Sequence, residues 1–215
     1  MTASSNELSE LLAGYRRFRE TDWKPERERW ASLKEGQQPR VMVIACSDSR
    51  VDPSQIFDVN PGEIFVVRNV AALVPPFETT PGHHGVSAAL EFAVQVLKVR
   101  EIMVMGHGLC GGCHAALTKS MEGAERGRGG FVADWISLLD DARDEVSAAY
   151  GTEGREAERQ MERAAVKVSL QNLRSFPCVQ AKEAKGELTL RGAVFAISDG
   201  ILHLLDEKTG EFSPA

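Results

Sequence analysis

The chain has 215 residues, 43% of them hydrophobic and 26% charged, with a formal net charge of −6. That is the composition of an ordinary globular protein of one large domain, and its acidic balance argues against nucleic acid as a partner, since phosphate contacts demand a basic face. No apolar run approaches the roughly 20 residues of a membrane-spanning helix. The N-terminus, MTASSNELSELLAGYRRFRE, lacks the basic start and apolar core of a secretory signal, so a cytoplasmic location is expected.

NELSELLAGYRRF places Leu8, Leu11, Leu12, Tyr15 and Phe18 at helical spacing, with Ser5 or Asn6 as the cap. KPERERWASLKEG reads as a second helix, with Pro25 near its first turn and Gly36 at its end. Together they form a helical arm over residues 1–36, whose apolar faces suit the parent domain or a second subunit.

From there the pattern becomes α/β. RVMVIA (40–45), EIFVVRNV (63–70) and EIMVMG (101–106) read as strands, and HGVSAALEFAVQVLK (84–98) as an amphipathic helix with Val86, Leu90, Ala93 and Leu97 on one stripe. Strands this continuously apolar, alternating with helices, predict a mostly parallel central sheet flanked by helices. GHGLCGGCHAALTKSM turns into a helix, and MEGAERGRGGF is a polar loop before helices over about 132–149 and 153–175. The tail reads as two strands joined at Asp199-Gly200, an antiparallel hairpin at the sheet edge. No repeat or linker divides the chain, so residues 1–215 are expected to be one domain.

Two of these strands end in metal-ligating residues: the first at Cys46, the third at His107, with Cys110 following in an HxxC spacing. Parallel sheets gather ligands at the carboxyl ends of their strands. If these two strands are neighbours, two thiols and an imidazole converge, a zinc donor set that leaves the fourth tetrahedral position open. A lone cysteine ending a buried strand is more often a small apolar residue, and Asp48 and Arg50 beside it can be a solvated ion pair. The conjunction favours the metal. Gly108, Gly111 and Gly112 open the following helix, where free N–H groups suit an anion, although a plain initiating turn reads equally well. Cys113 and His114 fall on the next helical turn and read as structural; Cys178 reads as a core or interface thiol, and His83, His84 and His203 as surface or loop residues.

CSDSR, PGEIFVVRNVA and GHGLCGG together resemble the β-class carbonic anhydrases, in the plant-like branch, over about Gln37 to Leu117 and more weakly beyond. The resemblance implies reversible hydration of carbon dioxide to bicarbonate and a proton by zinc-bound hydroxide. It implies Zn2+ bound by Cys46, His107 and Cys110, and an Asp48–Arg50 catalytic dyad. In the family this aspartate either accepts a hydrogen bond from the metal's water or swings in as a fourth ligand, so Asp48 is a metal ligand in the second, inactive state. Gln37, Phe65, Val70 and Gly108 are the implied substrate contacts. The glutamine and aromatic can come from across a subunit interface, which implies a homo-oligomer, dimer or tetramer.

The chain departs from the family at three places. Val43 stands where some bacterial members carry a tryptophan of a regulatory bicarbonate site, so no such site is expected and the zinc should be open at neutral pH. Phe92 replaces a common tyrosine, and Ala72 replaces the asparagine of RNVAN. Hydrolysis of carbonyl sulfide or carbon disulfide by the same chemistry, and a closed structural zinc with Asp48 as fourth ligand, are the alternatives. Arg50 and Gln37 weigh against the second, because a closed site needs neither.

Overall fold

The computed structural model describes residues 4–215, with side chains from residue 7 onward. The chain divides into two compact units, residues 1–38 and 39–215. The first holds α1 (Ser4–Phe18), a π-helical turn (Arg19–Trp23) and α2 (Arg27–Leu33). The Phe18 and Trp30 rings meet edge to face at 5.9 Å, which fixes the two helices on each other. Leu8, Leu11, Leu12 and Tyr15 stay exposed. The side chains of Ser5 and Asn6, expected to cap α1, lie outside the described residues.

Among the described residues the second unit forms one six-stranded sheet in the order β2-β1-β3-β4-β5-β6. β1 (Val41–Cys46) lies between β2 (Ile64–Asn69) and β3 (Glu101–His107), parallel to both. Met42 to Cys46 are all buried, as a central parallel strand requires, whereas edge strand β2 is only half-buried along its length. A short helix, α3 (Pro53–Ile56), links β1 to β2. α4 (Gly85–Glu91) runs on into a π-helical segment (Phe92–Leu97) and ends at Lys98 in the left-handed conformation. The wider turn brings Val94 into the buried stripe beside Leu90 and Ala93.

After β3 come α5 (Gly111–Thr118), α6 (Gly130–Ile136), a single 3-10 turn, α7 (Asp140–Tyr150), α8 (Arg155–Leu173) and α9 (Pro177–Glu183). α8 lies close on the sheet. A Cβ at Gly106 or Gly192 would stand 2.9 Å from a Val166 methyl, so both strand positions must be glycine. Helices α4, α8 and α9 cover a core built on Met42, Ile44, Ile102 and Val104. On the other face, Val43, Ala45, Met105 and Ala193 pack with Ile56 and Phe57 at the end of α3.

The C-terminal hairpin differs in detail from its sequence reading. The turn falls at Asp199-Gly200, with Gly200 at φ 74°. The strand before it, β4 (Thr189–Ala196), is an interior strand parallel to β3, and β5 (Ile201–Asp206) runs antiparallel to it. A further strand, β6 (Glu211–Pro214), completes the antiparallel edge. Its four residues, EFSP, carry a single apolar side chain that becomes buried, too little pattern to declare a strand.

Candidate metal centre and its surroundings

Because β1 and β3 are parallel neighbours in register, Ala45 opposite Met105, their carboxyl ends bring Cys46 and His107 together. The turn after β3 adds Cys110. All three are buried, and their ligand atoms lie within 4.8 Å of one another. The two Sγ atoms are 4.0 Å apart. Two sulfurs at about 2.3 Å from a tetrahedral zinc stand about 3.8 Å apart, so the spacing suits the ion.

The imidazole is prepared for a metal. His107 Nδ1 lies 2.9 Å from the Gly108 carbonyl, an acceptor only, so Nδ1 carries the proton and Nε2 presents its lone pair. Nε2 is buried and has no hydrogen-bond partner. An orphaned buried nitrogen facing two thiols is costly unless a cation sits among them. The thiols point the same way: the Cys110 thiol and burial push Cys46 up to about 12, and the Cys113 thiol with burial does the same to Cys110. Without a cation the pair stays protonated; a divalent ion is what would ionise both. The donor set fits zinc.

The loop after β1 places the charged pair. Ser47 N–H donates to Asn69 O at 2.9 Å, extending the β1–β2 ladder past Cys46. Arg50 N–H donates to Asp48 Oδ1 at 2.9 Å, a tight turn closed by the aspartate's own side chain. The Arg50 guanidinium then grips both carboxylate oxygens, Nε to Oδ1 at 2.9 Å and Nη2 to Oδ2 at 2.7 Å. This holds the Asp48 carboxyl well below the usual carboxylate range. Oδ2 stands 3.9 Å from His107 Nε2, so the carboxylate borders the metal centre while the arginine holds it.

Arg68, at the end of β2, was not singled out in the sequence, yet it braces this loop. Its Nε donates to Cys46 O at 3.0 Å, Nη2 to Asp48 O at 2.6 Å and Nη1 to Asp52 at 2.8 Å. Asp52 in turn caps α3 through Ser54 N–H. The signal was an arginine ending an otherwise apolar strand.

The other expected site residues fall in different places. Val70 stands in the 3-10 turn after β2, against the start of α5: a Cβ on Gly112 would come within 2.7 Å of its Cγ1. Phe65 pairs with Met42 near the start of both strands, about four residues or ~13 Å back from the level of Cys46. There it packs on Phe92, ring centroids 5.9 Å apart, away from the ligands of its own chain. Gln37 is an exposed residue of the N-terminal unit. Gly108 does not offer a free amide to an anion, because its N–H donates to Phe195 O at 2.9 Å and its carbonyl holds His107. The left-handed residue of that turn is Leu109, at φ 59°, and none of the three glycines. Ala72 also adopts a left-handed conformation, φ 55°, the kind of backbone asparagine tolerates best.

Cys113 is buried beside Cys110 but outside the ligand cluster, and His114 is exposed and pairs with Glu158 at 3.2 Å. His84 contacts Glu78 and the Thr80 carbonyl, while His203 lies within β5.

Comparison with known proteins agrees with this geometry. The carbonic anhydrase family model matches residues 41–202. Over 205 residues the chain is 35% identical to β-carbonic anhydrase 3 of Arabidopsis thaliana, covering 94% of this chain and 79% of that one. The structure of the β-carbonic anhydrase CcaA superimposes with a TM-score of 0.90 at 30% identity, over 98% of this chain and 92% of the other. One of two tetrameric β-carbonic anhydrases of Sordaria macrospora gives 0.78 at 25% identity, over 93% and 97%. Motifs, fold and metal centre therefore agree, and this chain belongs to the carbonic anhydrase family, in its β class.

Proposed function

We propose that this chain hydrates carbon dioxide reversibly to bicarbonate and a proton, with Zn2+ held by Cys46, His107 and Cys110 and with Asp48 and Arg50 orienting the attacking oxygen. Carbonate dehydratase activity follows from the family and the cysteine–histidine–cysteine cluster. The observation that carries the residue assignment is the Asp48 carboxylate, 3.9 Å from His107 Nε2 and clamped by Arg50. Zinc bound there supplies the Lewis acidity that makes water a nucleophile near neutral pH.

The chain's own residues do the rest. Asp48, kept ionised by the guanidinium, accepts a hydrogen bond from the attacking water and turns a lone pair toward the substrate carbon. Arg50 also holds that carboxylate back from the three donor side chains that would bind the metal. A carbon–oxygen bond forms as one C=O π bond of carbon dioxide opens onto its oxygen, and the proton lost by the water passes to buffer. Val70 contributes an apolar wall suited to a small apolar substrate.

Gln37 and Phe65 are assigned to the substrate pocket as contributions across a subunit interface, which makes a homo-oligomer part of the proposal. The exposed apolar face of α1 and the tetrameric Sordaria relatives support it. A cytoplasmic location suits the four free cysteines, which a reducing compartment preserves. Among the described residues no helix is long and apolar enough to cross a membrane.

The test is stopped-flow carbon dioxide hydration across pH, with zinc measured on the same sample. One zinc per chain with turnover is expected. Full zinc with no hydration at about pH 8 to 9 would overturn the reading.

A further inference from the structure

We propose that Glu162 and Arg155, both on α8, are positioning residues for hydration: together they fix the backbone conformation of Leu109 so that its carbonyl aims Arg50 at Asp48. The inference rests on the roles given to Asp48 and Arg50 above and extends them to a helix that holds no metal ligand.

Glu162 is a carboxylate only 3% exposed. Its Oε1 accepts from Leu109 N–H at 2.6 Å and from Arg155 Nη1 at 2.8 Å, while Oε2 accepts from Arg155 Nη2 at 3.1 Å. Both oxygens therefore face donors. Leu109 sits between the ligands His107 and Cys110 in a left-handed conformation, φ 59°, that a branched aliphatic residue adopts only under constraint. The constraint is visible on both sides of the residue. Its N–H is held by Glu162, and its carbonyl accepts from Arg50 Nη2 at 3.0 Å. The same Nη2 holds Asp48 Oδ2 at 2.7 Å.

A chain of contacts thus runs from Arg155 through Glu162, the N–H and then the carbonyl on either side of the Leu109 Cα, and Arg50 to the carboxylate at the metal centre. α8 is a firm base for it, since it packs against Gly106 and Gly192 with no room for a Cβ. A neutral, apolar residue at 162 would fill space but anchor nothing. A negative charge buried there is explained by the charge-assisted hold it gives on the N–H of one strained residue.

The test uses the zinc-loaded, full-length protein. Glu162→Gln keeps the volume but sets an amide NH2 where two oxygens now face only donors. Zinc at one per chain and a 10- to 100-fold lower kcat/KM are expected, the usual range for groups behind a metal centre. In an Arg50→Ala background the same change should cost nothing further, because the chain of contacts is already cut. Arg155→Ala, at a partly exposed position, supplies a second route should Glu162→Gln fail to fold, with the same two expectations. Unchanged kcat/KM, a cost that adds fully to Arg50→Ala, or a loss that only tracks missing zinc would each overturn the inference. A zinc-loaded wild type without hydration would instead defeat the reading of the site itself.

Discussion

Arg50 holds Asp48 at both carboxylate oxygens, at 2.9 Å and 2.7 Å, and holds the Leu109 carbonyl with the same terminal nitrogen. A single guanidinium therefore ties the loop after β1 to the turn after β3. Lysine could not do this, as a point charge has no fork. Arg50→Ala should lower kcat/KM by about 100-fold while zinc stays bound, and Arg50→Lys should recover little of it. Stopped-flow hydration with metal analysis decides the matter: wild-type turnover in zinc-loaded Arg50→Ala would remove the dyad from the mechanism.

Metal removal should make stability depend on alkaline pH. In the metal-free protein Cys46 and Cys110 are raised from an ordinary 9.0 to about 12, so the folded state keeps protons that the unfolded chain has lost. The stability this confers is complete below pH 9 and is lost as pH rises towards 12. Chelated protein should melt progressively earlier over that window. Zinc-loaded protein, whose thiols are already deprotonated, should show no such slope from this source. Matched melting curves from about pH 8 to pH 11 test it, and parallel slopes in the two forms would contradict it.

Gly112 marks the tightest contact at the centre's edge. A Cβ there would meet Val70 Cγ1 at 2.7 Å and Ala71 Cβ at 3.0 Å. Gly112→Ala should cost about 1–3 kcal/mol by overpacking. It should also lower zinc affinity, because α5 begins immediately after Cys110. Denaturant unfolding and competition with a chelator report the two effects separately, and an unchanged unfolding midpoint would contradict the packing argument.

The arm can be tested on its exposed face. Leu11 and Tyr15 are 73% and 55% exposed and lie one turn apart on α1. Leu11→Glu together with Tyr15→Glu should shift the mass in solution toward monomer if this face joins subunits. Light scattering on the eluting species reads it directly; an unchanged mass at full zinc content would place the interface elsewhere.

Much of this protein was legible before any coordinates. β1 and β3 announced themselves because a strand buried on both faces is an uninterrupted apolar run, and the ligands stood at the ends of those runs. CSDSR and GHGLCGG pointed to a metal because two thiols and an imidazole converge there if the two strands are neighbours, and their resemblance to the β-class carbonic anhydrases implied the reaction. β6 and the short helices α3 and α9 were missed, since four to seven residues carry too little period to register.

Local pattern and residue chemistry in the sequence thus placed the Cys46–His107–Cys110 donor set and the parallel frame, while the Asp48–Arg50 dyad came from the family resemblance. Tertiary structure alone decided what each donor's neighbours do. It made β4 an interior strand, engaged the Gly108 amide with Phe195, set Phe65 on the far core, and brought Arg68 and Glu162 to the site from β2 and α8. Those contacts join residues distant along the chain, and no periodicity or spacing records which backbone atom a remote side chain will reach once the sheet is assembled.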